Sequence, residues 1–407
     1  MDNVSMVSDL KLRAGYGRVG NQDIGDFPSL GLYRANYGTI GVNFPGAWTN
    51  TGTAYDLGGI NQGTLPSGFV SVQGANPALK WETTEELNIG VDFGFFNQKL
   101  FGSFDYFSRK IFDILIQPPV ASAVGEGRLK YLNGATKENK GFEFVLGYHN
   151  QTKNGFSYTI QGNLASFQDK ITELPEEVRT AYPGNSQQTI LGHSELSIFG
   201  YQTDGLFQSQ KDVDDAPVQV GKGLGRIKYV DRDGNDTINS YDQTWLGTVL
   251  PKFEYGIRID LAYKNFDLSM FGSGVSGRHG NNSYLFFNNF ARPRENAGPG
   301  VLNGWTPEHT NTTTPALTLV DVNTESKSSD YFLVNTSYFK MRNIQLGYSL
   351  PKGISSWHMT QLRFYAMCDN VFWVKNKEFE GKDPEVIDLN LIPTPTTYTI
   401  GVNVTFE

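Results

Sequence analysis

Phe253-Glu254-Tyr255-Gly256-Ile257-Arg258-Ile259-Asp260-Leu261-Ala262-Tyr263 is the stretch that decides the fold class. Its odd positions carry Phe, Tyr, Ile, Ile, Leu and Tyr; its even positions carry Glu, Gly, Arg, Asp and Ala. Successive side chains of a strand point to opposite faces, so the pattern describes a strand with one apolar and one polar face. The run is 11 residues long, whereas a strand of a globular protein more often has about five or six. Directly after Lys264-Asn265 the alternation resumes over 266–274.

Working outward, the same period-two pattern occupies 8–17, 85–94, 100–109, 140–148, 157–167, 337–349, 361–370 and 398–406, giving ten strands in all. The connections alternate in length without a break. Those at 18–84, 110–139, 168–252, 275–336 and 371–397 are long; those at 95–99, 149–156, 264–265 and 350–360 are short. A sandwich has no reason to place every long loop at one end, but a transmembrane β-barrel has short periplasmic turns and long extracellular loops. The expected fold class is therefore all-β: a transmembrane antiparallel β-barrel portion of about ten strands. Aromatics near strand ends, among them Tyr16, Phe93, Tyr106, Tyr148, Tyr158, Tyr263 and Tyr348, suit interfacial girdles. The competing reading is a soluble antiparallel protein whose sheet has one face on a core and one in water.

Composition narrows the classes. The 407 residues include 28 Phe, 20 Tyr and 45 Gly, and 34 basic against 42 acidic residues leave a net charge of −8. So many aromatics exclude disorder, and no stretch approaches the roughly 18 apolar residues of a spanning helix. The acidic balance makes nucleic acid an unsuitable partner. Cys368 stands alone, which excludes a disulfide framework and a multi-thiolate metal site. Met1-Asp2-Asn3-Val4-Ser5 has neither the basic nor the apolar region of an export signal, so the chain is expected to be cytoplasmic or part of a longer precursor.

Specific wording then adds a family. Leu10-Lys11-Leu12-Arg13-Ala14-Gly15-Tyr16-Gly17, Asn76-Pro77-Ala78-Leu79-Lys80-Trp81-Glu82, Gly200-Tyr201-Gln202-Thr203-Asp204-Gly205, Met341-Arg342-Asn343-Ile344-Gln345-Leu346-Gly347-Tyr348, Asp369-Asn370-Val371-Phe372 and Asp383-Pro384-Glu385 keep order from residue 8 onward. Together they resemble the SusC/RagA family of TonB-dependent outer-membrane transporters. The resemblance implies a barrel of 22 strands, of which residues 1–407 would supply the last ten, with signal peptide, TonB box and plug domain absent. It also implies import of oligosaccharides or peptides, a SusD-like surface lipoprotein as lid, drive from the TonB complex, and pairing with the missing N-terminal barrel and plug. The alternative function is a soluble aromatic-rich carbohydrate-binding β protein without a transport role; a third is a gene remnant that does not fold alone. An open ten-strand sheet in hydrocarbon leaves two edges of backbone groups, each unsatisfied group costing several kcal/mol, so outer-membrane lipid requires further strands or closure.

Candidate sites follow. Asp231, Asp233, Asn235, Asn239 and Asp242 fall at calcium-loop positions 1, 3, 5, 9 and 12 of 231–242, a spacing that wraps hard oxygens round one ion. Gly234 stands at position 4 instead of 6, and an Asx-rich surface turn is the reading without Ca2+. Tyr33, Tyr37, Trp48, Tyr55, Tyr284, Phe287 and Trp305 lie in long loops, where aromatic faces suit substrate or partner contact, or else pack the loops themselves. Arg13, Glu143, Gln161, Glu254, Arg258, Asp260 and Asn403 are expected on the lumen face. Tyr398 and Phe406 mark the final strand, which resembles the C-terminal assembly signal apart from the added Glu407. The five histidines show no H-E-x-x-H spacing, and no catalytic residue is expected; the expected reading is not an enzyme.

Overall fold

A computed structural model describes residues 6–21, 27–36, 40–41, 49–50, 68–116, 130–176, 190–290, 296–319, 323–351, 359–386 and 392–406. Ten strands form one sheet: β1 Val7–Asn21, β2 Glu82–Phe95, β3 Leu100–Ile116, β4 Leu132–Gln151, β5 Ser157–Glu173, β6 Phe253–Tyr263, β7 Phe266–Ser276, β8 Tyr338–Ser349, β9 Met359–Lys375 and β10 Thr397–Phe406. They follow one another in chain order, each antiparallel to the next. The short connections 96–99, 152–156, 264–265 and 350–358 all lie at one end of the sheet. Lys264 takes a left-handed φ of 54°, which lets two residues reverse the chain there.

The count and the alternation agree with the sequence reading; the lengths do not. β4 has 20 residues, and β3, β5 and β9 have 17 each. Most of the added length lies at the long-loop end; in β4 and β5 polar residues occupy both faces there, as in Lys137-Glu138-Asn139-Lys140 and Gln168-Asp169-Lys170, while in β3 and β9 apolar residues do, as in Ile114-Leu115-Ile116 and Val371-Phe372-Trp373-Val374. Such segments show no period-two alternation, so periodicity stops short of their ends. The ladder carries them, with flanking pairs such as Arg109 Nη2 to Glu86 Oε2 at 2.7 Å.

Register turns the alternation into two continuous surfaces. Ile160, Ile259, Met270, Ile344, Cys368 and Tyr398 stand directly opposite one another from β5 to β10. One step nearer the short turns runs Tyr158, Leu261, Leu268, Leu346, Ala366, Ile400, and then Tyr263, Phe266, Tyr348, Phe364, Val402. In that last row Phe266 and Tyr348 bring their ring centroids to 4.7 Å, forming an aromatic belt beside the turns. Ile257, Leu346, Phe364 and Val402 are all exposed, and Ile400 is 87% exposed. A soluble one-layer sheet must cover such a face, whereas hydrocarbon solvates it.

The hydrophobic core sits elsewhere, in the long connections 174–252 and 277–337. Leu206, Ile227, Tyr229 and Trp305 form its centre, flanked by Tyr201, Ile238, Phe290, Ala316 and Tyr331. Short ribbons frame it, Ser197–Tyr201 with Gln243–Thr248 and Thr203–Leu206 with Ile227–Tyr229. A buried polar clamp joins the two connections: Glu325 accepts from Arg226 Nη1 at 3.0 Å and from the Ile227 N–H at 2.9 Å. Gln219 Nε2 donates to Asn323 Oδ1 at 2.7 Å in the same clamp. Among the described residues no helix is long and apolar enough to cross a membrane, and no strand pairs with the outer side of β1 or β10.

Candidate functional site

The polar face of the sheet is one candidate surface. Arg13, Gly90, Asp105, Glu143, Ala165 and Glu254 oppose one another across β1 to β6, and Gln161 opposes Arg258. Because side chains two or four apart share a face, Arg13, Glu143, Gln161, Glu254, Arg258 and Asp260 all stand on it. So does Asn403, opposite Arg363. Arg13 bridges Asp92 at 2.8 Å and Asp105 at 2.9 Å. Arg258 Nε donates to Asp260 Oδ2 at 2.7 Å, and Ser269 donates to the other oxygen of that carboxylate at 2.6 Å.

Beside the loops this face carries a cluster that the sequence-derived site residues omit. The register between β7 and β8 slips between Phe271 and Gly272, leaving Arg342 as an extra residue. A bulge of this kind turns two consecutive side chains to one side. Arg342 thereby reaches Ser273 Oγ at 2.9 Å and chelates Glu385 beside Lys340. Lys340 is fully buried, 3.3 Å from Asp383 and 2.8 Å from Glu385. Tyr338 donates its hydroxyl to Glu385 at 2.8 Å, and Arg278 donates to the Pro384 carbonyl. Burial alone would raise the Glu385 carboxyl; hydrogen bonds from Arg342, Lys340 and Tyr338 outweigh it and hold the pKa at about 2. The readable trace of this cluster is the adjacent polar pair Arg342-Asn343, which breaks the alternation of β8.

The loop aromatics divide. Tyr33 is exposed, and Phe287 sits on the short helix Ser283–Asn289. Tyr284 meets Phe379 edge to face at 6.3 Å. Trp305 corrects the expectation of a contact surface: it is only 6% exposed, and its Nε1 donates to Gln208 Oε1 at 2.8 Å. The physical reason is that a long connection needs an apolar centre of its own, and the indole supplies the largest one available. Tyr37, Trp48 and Tyr55 lie outside the described residues. Tyr398 and Phe406 stand exposed on the apolar side of the edge strand β10.

In the 231–242 loop, carboxylate oxygens of Asp231, Asp233 and Asp242 lie within 4.8 Å of one another. Asp231 accepts from the N–H groups of Gly234 and Asp236, both at 2.8 Å, and Asp242 accepts from those of Arg232 and Asn239. Asn235 accepts from the Thr237 N–H, and Asn239 caps the 3-10 turn Ser240–Asp242 through the Tyr241 N–H. For Asp231, burial opposes ionisation, and the N–H groups of Gly234 and Asp236 outweigh it, lowering the pKa. Each carboxylate oxygen retains a further lone pair, so the three acidic groups fit a hard cation, while the two asparagines serve the local turns.

With this geometry in place, comparisons with known proteins agree. The family model described as TonB dependent receptor-like, beta-barrel matches residues 6–371. The TonB-dependent receptor SusC of Bacteroides thetaiotaomicron is 28% identical over 100% of this chain and 38% of its own length. TonB-dependent receptor P3 of Formosa agariphila is 27% identical over 98% of this chain and 40% of its own. Among solved structures, the RagAB peptide transporter superposes with a TM-score of 0.76 at 21% identity, covering 99% of this chain and 41% of that one, a likeness of fold. The chain thus spans about two fifths of the length of the relatives it matches.

Proposed function

Because the chain belongs to the TonB-dependent receptor-like β-barrel family, an outer-membrane family, we propose that it supplies barrel wall and extracellular loops to a transporter importing oligosaccharides or peptides. The observation that carries this reading is the pairing of an uncovered apolar face with a charged opposite face, all long connections gathered at one end. The relatives named above are receptors and transporters, and on this reading the chain catalyses no reaction. A SusD-like lipoprotein covers the loop module, the TonB complex supplies the energy through a segment outside residues 1–407, and plug and further strands meet β1 and β10. Tyr398 and Phe406 serve recognition by the assembly machinery. Calcium in the 231–242 loop belongs to the same reading, as a support for the loop module and no requirement of the barrel.

Membrane fractionation tests the proposal. The protein is expected in the outer-membrane fraction, extracted by detergent and migrating faster unheated than heated on denaturing gels. A protein that stays monomeric and cooperatively folded without detergent would instead favour the soluble carbohydrate-binding alternative.

A further inference from the structure

We propose that a hollow in the polar face between β1 and β5 is a subsite for a basic side chain of a peptide substrate, an inference that rests on the transport reading above. The hollow has a volume of about 560 Å³, within the range of about 300–1,000 Å³ usual for ligand pockets. Three neighbouring rows of the register build it. The first holds Gly17, Glu86, Arg109 and Asn139; the second Gly15, Asn88, Phe107, Gly141 and Phe167; the third Arg13, Gly90, Asp105 and Glu143.

Glycine makes the concavity. A Cβ at Gly141 would strike the Phe107 ring and Phe167, and one at Gly90 would strike Asp105 and the Arg13 guanidinium. Around Gly15 and Gly17 an added Cβ would meet nothing within 4 Å, so that side stays open. The two phenyl rings therefore close over the middle of the hollow, with charge above and below them.

The charges are unequal. The lining holds two guanidinium groups, Arg13 and Arg109, against three carboxylates, Glu86, Asp105 and Glu143. Arg13 is committed to Asp92 and Asp105, and Arg109 to Glu86 at 2.7 Å. Glu143 has no hydrogen bond or ion pair among the described residues. Asn139 adds an Oδ1 that is shut off from solvent with no partner among the described residues, the kind of atom that a donor entering beside it would relieve. The ligand must therefore donate and carry positive charge, beside rings suited to a cation and its aliphatic stem. Glu143 and Asn139 are four residues apart on β4, about 13 Å at the strand rise. A lone ammonium ion or a single sugar ring does not span that distance; an extended peptide with a lysine or arginine does.

The test titrates purified, detergent-solubilised protein by calorimetry with a blocked glycine–serine hexapeptide carrying one arginine. The same peptide with citrulline in its place, and maltohexaose, are the neutral probes. The arginine peptide is expected to bind about tenfold more tightly than the citrulline peptide, the worth of one charge-assisted hydrogen bond, and the margin should shrink in high salt. Glu143→Gln, which keeps the shape, should remove the preference, and Glu143→Asp should keep most of it. Equal binding of the two peptides, no binding of either, tighter binding of maltohexaose, or a preference that survives Glu143→Gln would overturn the subsite. Each of those results leaves the outer-membrane fractionation untouched, whereas failure of that fractionation removes the transport reading itself.

Discussion

Lys340 Nζ lies 3.3 Å from Asp383 Oδ2, and neither side chain has any contact with solvent. The pair fastens the 376–396 connection to the polar face of β8, and Glu385, two residues on, doubles the attachment at 2.8 Å. A buried charge left without its partner is expensive, whereas replacing both by apolar groups is often neutral.

Lys340→Ala should therefore destabilise the protein by about 3–5 kcal/mol, while Lys340→Met combined with Asp383→Leu should cost far less. Denaturant unfolding in detergent measures the difference. Limited proteolysis should show new cleavage within 376–396 in the single variant only. Equal losses in both would mean that packing, not charge, holds the connection.

The two faces of β6 predict opposite tolerances. Ile257→Arg places a charge on the apolar surface and should cost about 2–4 kcal/mol. Arg258→Ala removes a mostly exposed pair with Asp260 and should cost less than about 1 kcal/mol. Unfolding equilibria in lipid vesicles check the pair, and equal costs would reverse the assignment of faces.

Acid should loosen the same connection through Glu385. Its pKa is lowered from 4.5 to about 2 in the folded protein, so the folded state favours the ionised form. That contribution is fully present above the unfolded value and is lost as pH falls from about 4.5 toward about 2. A proteolysis profile of 376–396 against pH should steepen in this window, and Glu385→Gln should flatten it while lowering resistance at neutral pH.

Calcium should raise the melting temperature if the Asp231, Asp233 and Asp242 oxygens hold it, and Asp231→Ala should abolish that rise. Differential scanning fluorimetry with calcium and with chelator reads both. A parent protein indifferent to calcium would leave the loop as a turn stabilised by its own N–H groups.

Legibility in the sequence followed periodicity. β6 emerges with the bounds that alternation assigns and β7 runs two residues beyond them, because every residue in them faces either hydrocarbon or polar space. The long-loop ends of β4 and β5 were invisible, since polar residues stand on both faces there, with Thr136 and Ile171 covered by their surroundings, and no two-residue period results. That the residues expected on the lumen share one face of the sheet was legible for the same reason as the strands: parity along a strand sets the face. Trp305 was misplaced because aromatic residues pack loop cores and line contact surfaces with equal chemical fitness, and only the neighbours distinguish the two.

Sequence alone therefore determined the ten strands, their faces and the alternation of short turns with long loops, all consequences of a two-residue repeat and local turn chemistry. Tertiary structure decided which distant groups meet: Arg342 turned inward by a bulge, Lys340 closed over by Asp383 and Glu385, Arg226 clamped by Glu325, and Glu143 left unpaired among the described residues. Those outcomes depend on register and on how long connections fold back, and neither is encoded in the local period of any one strand.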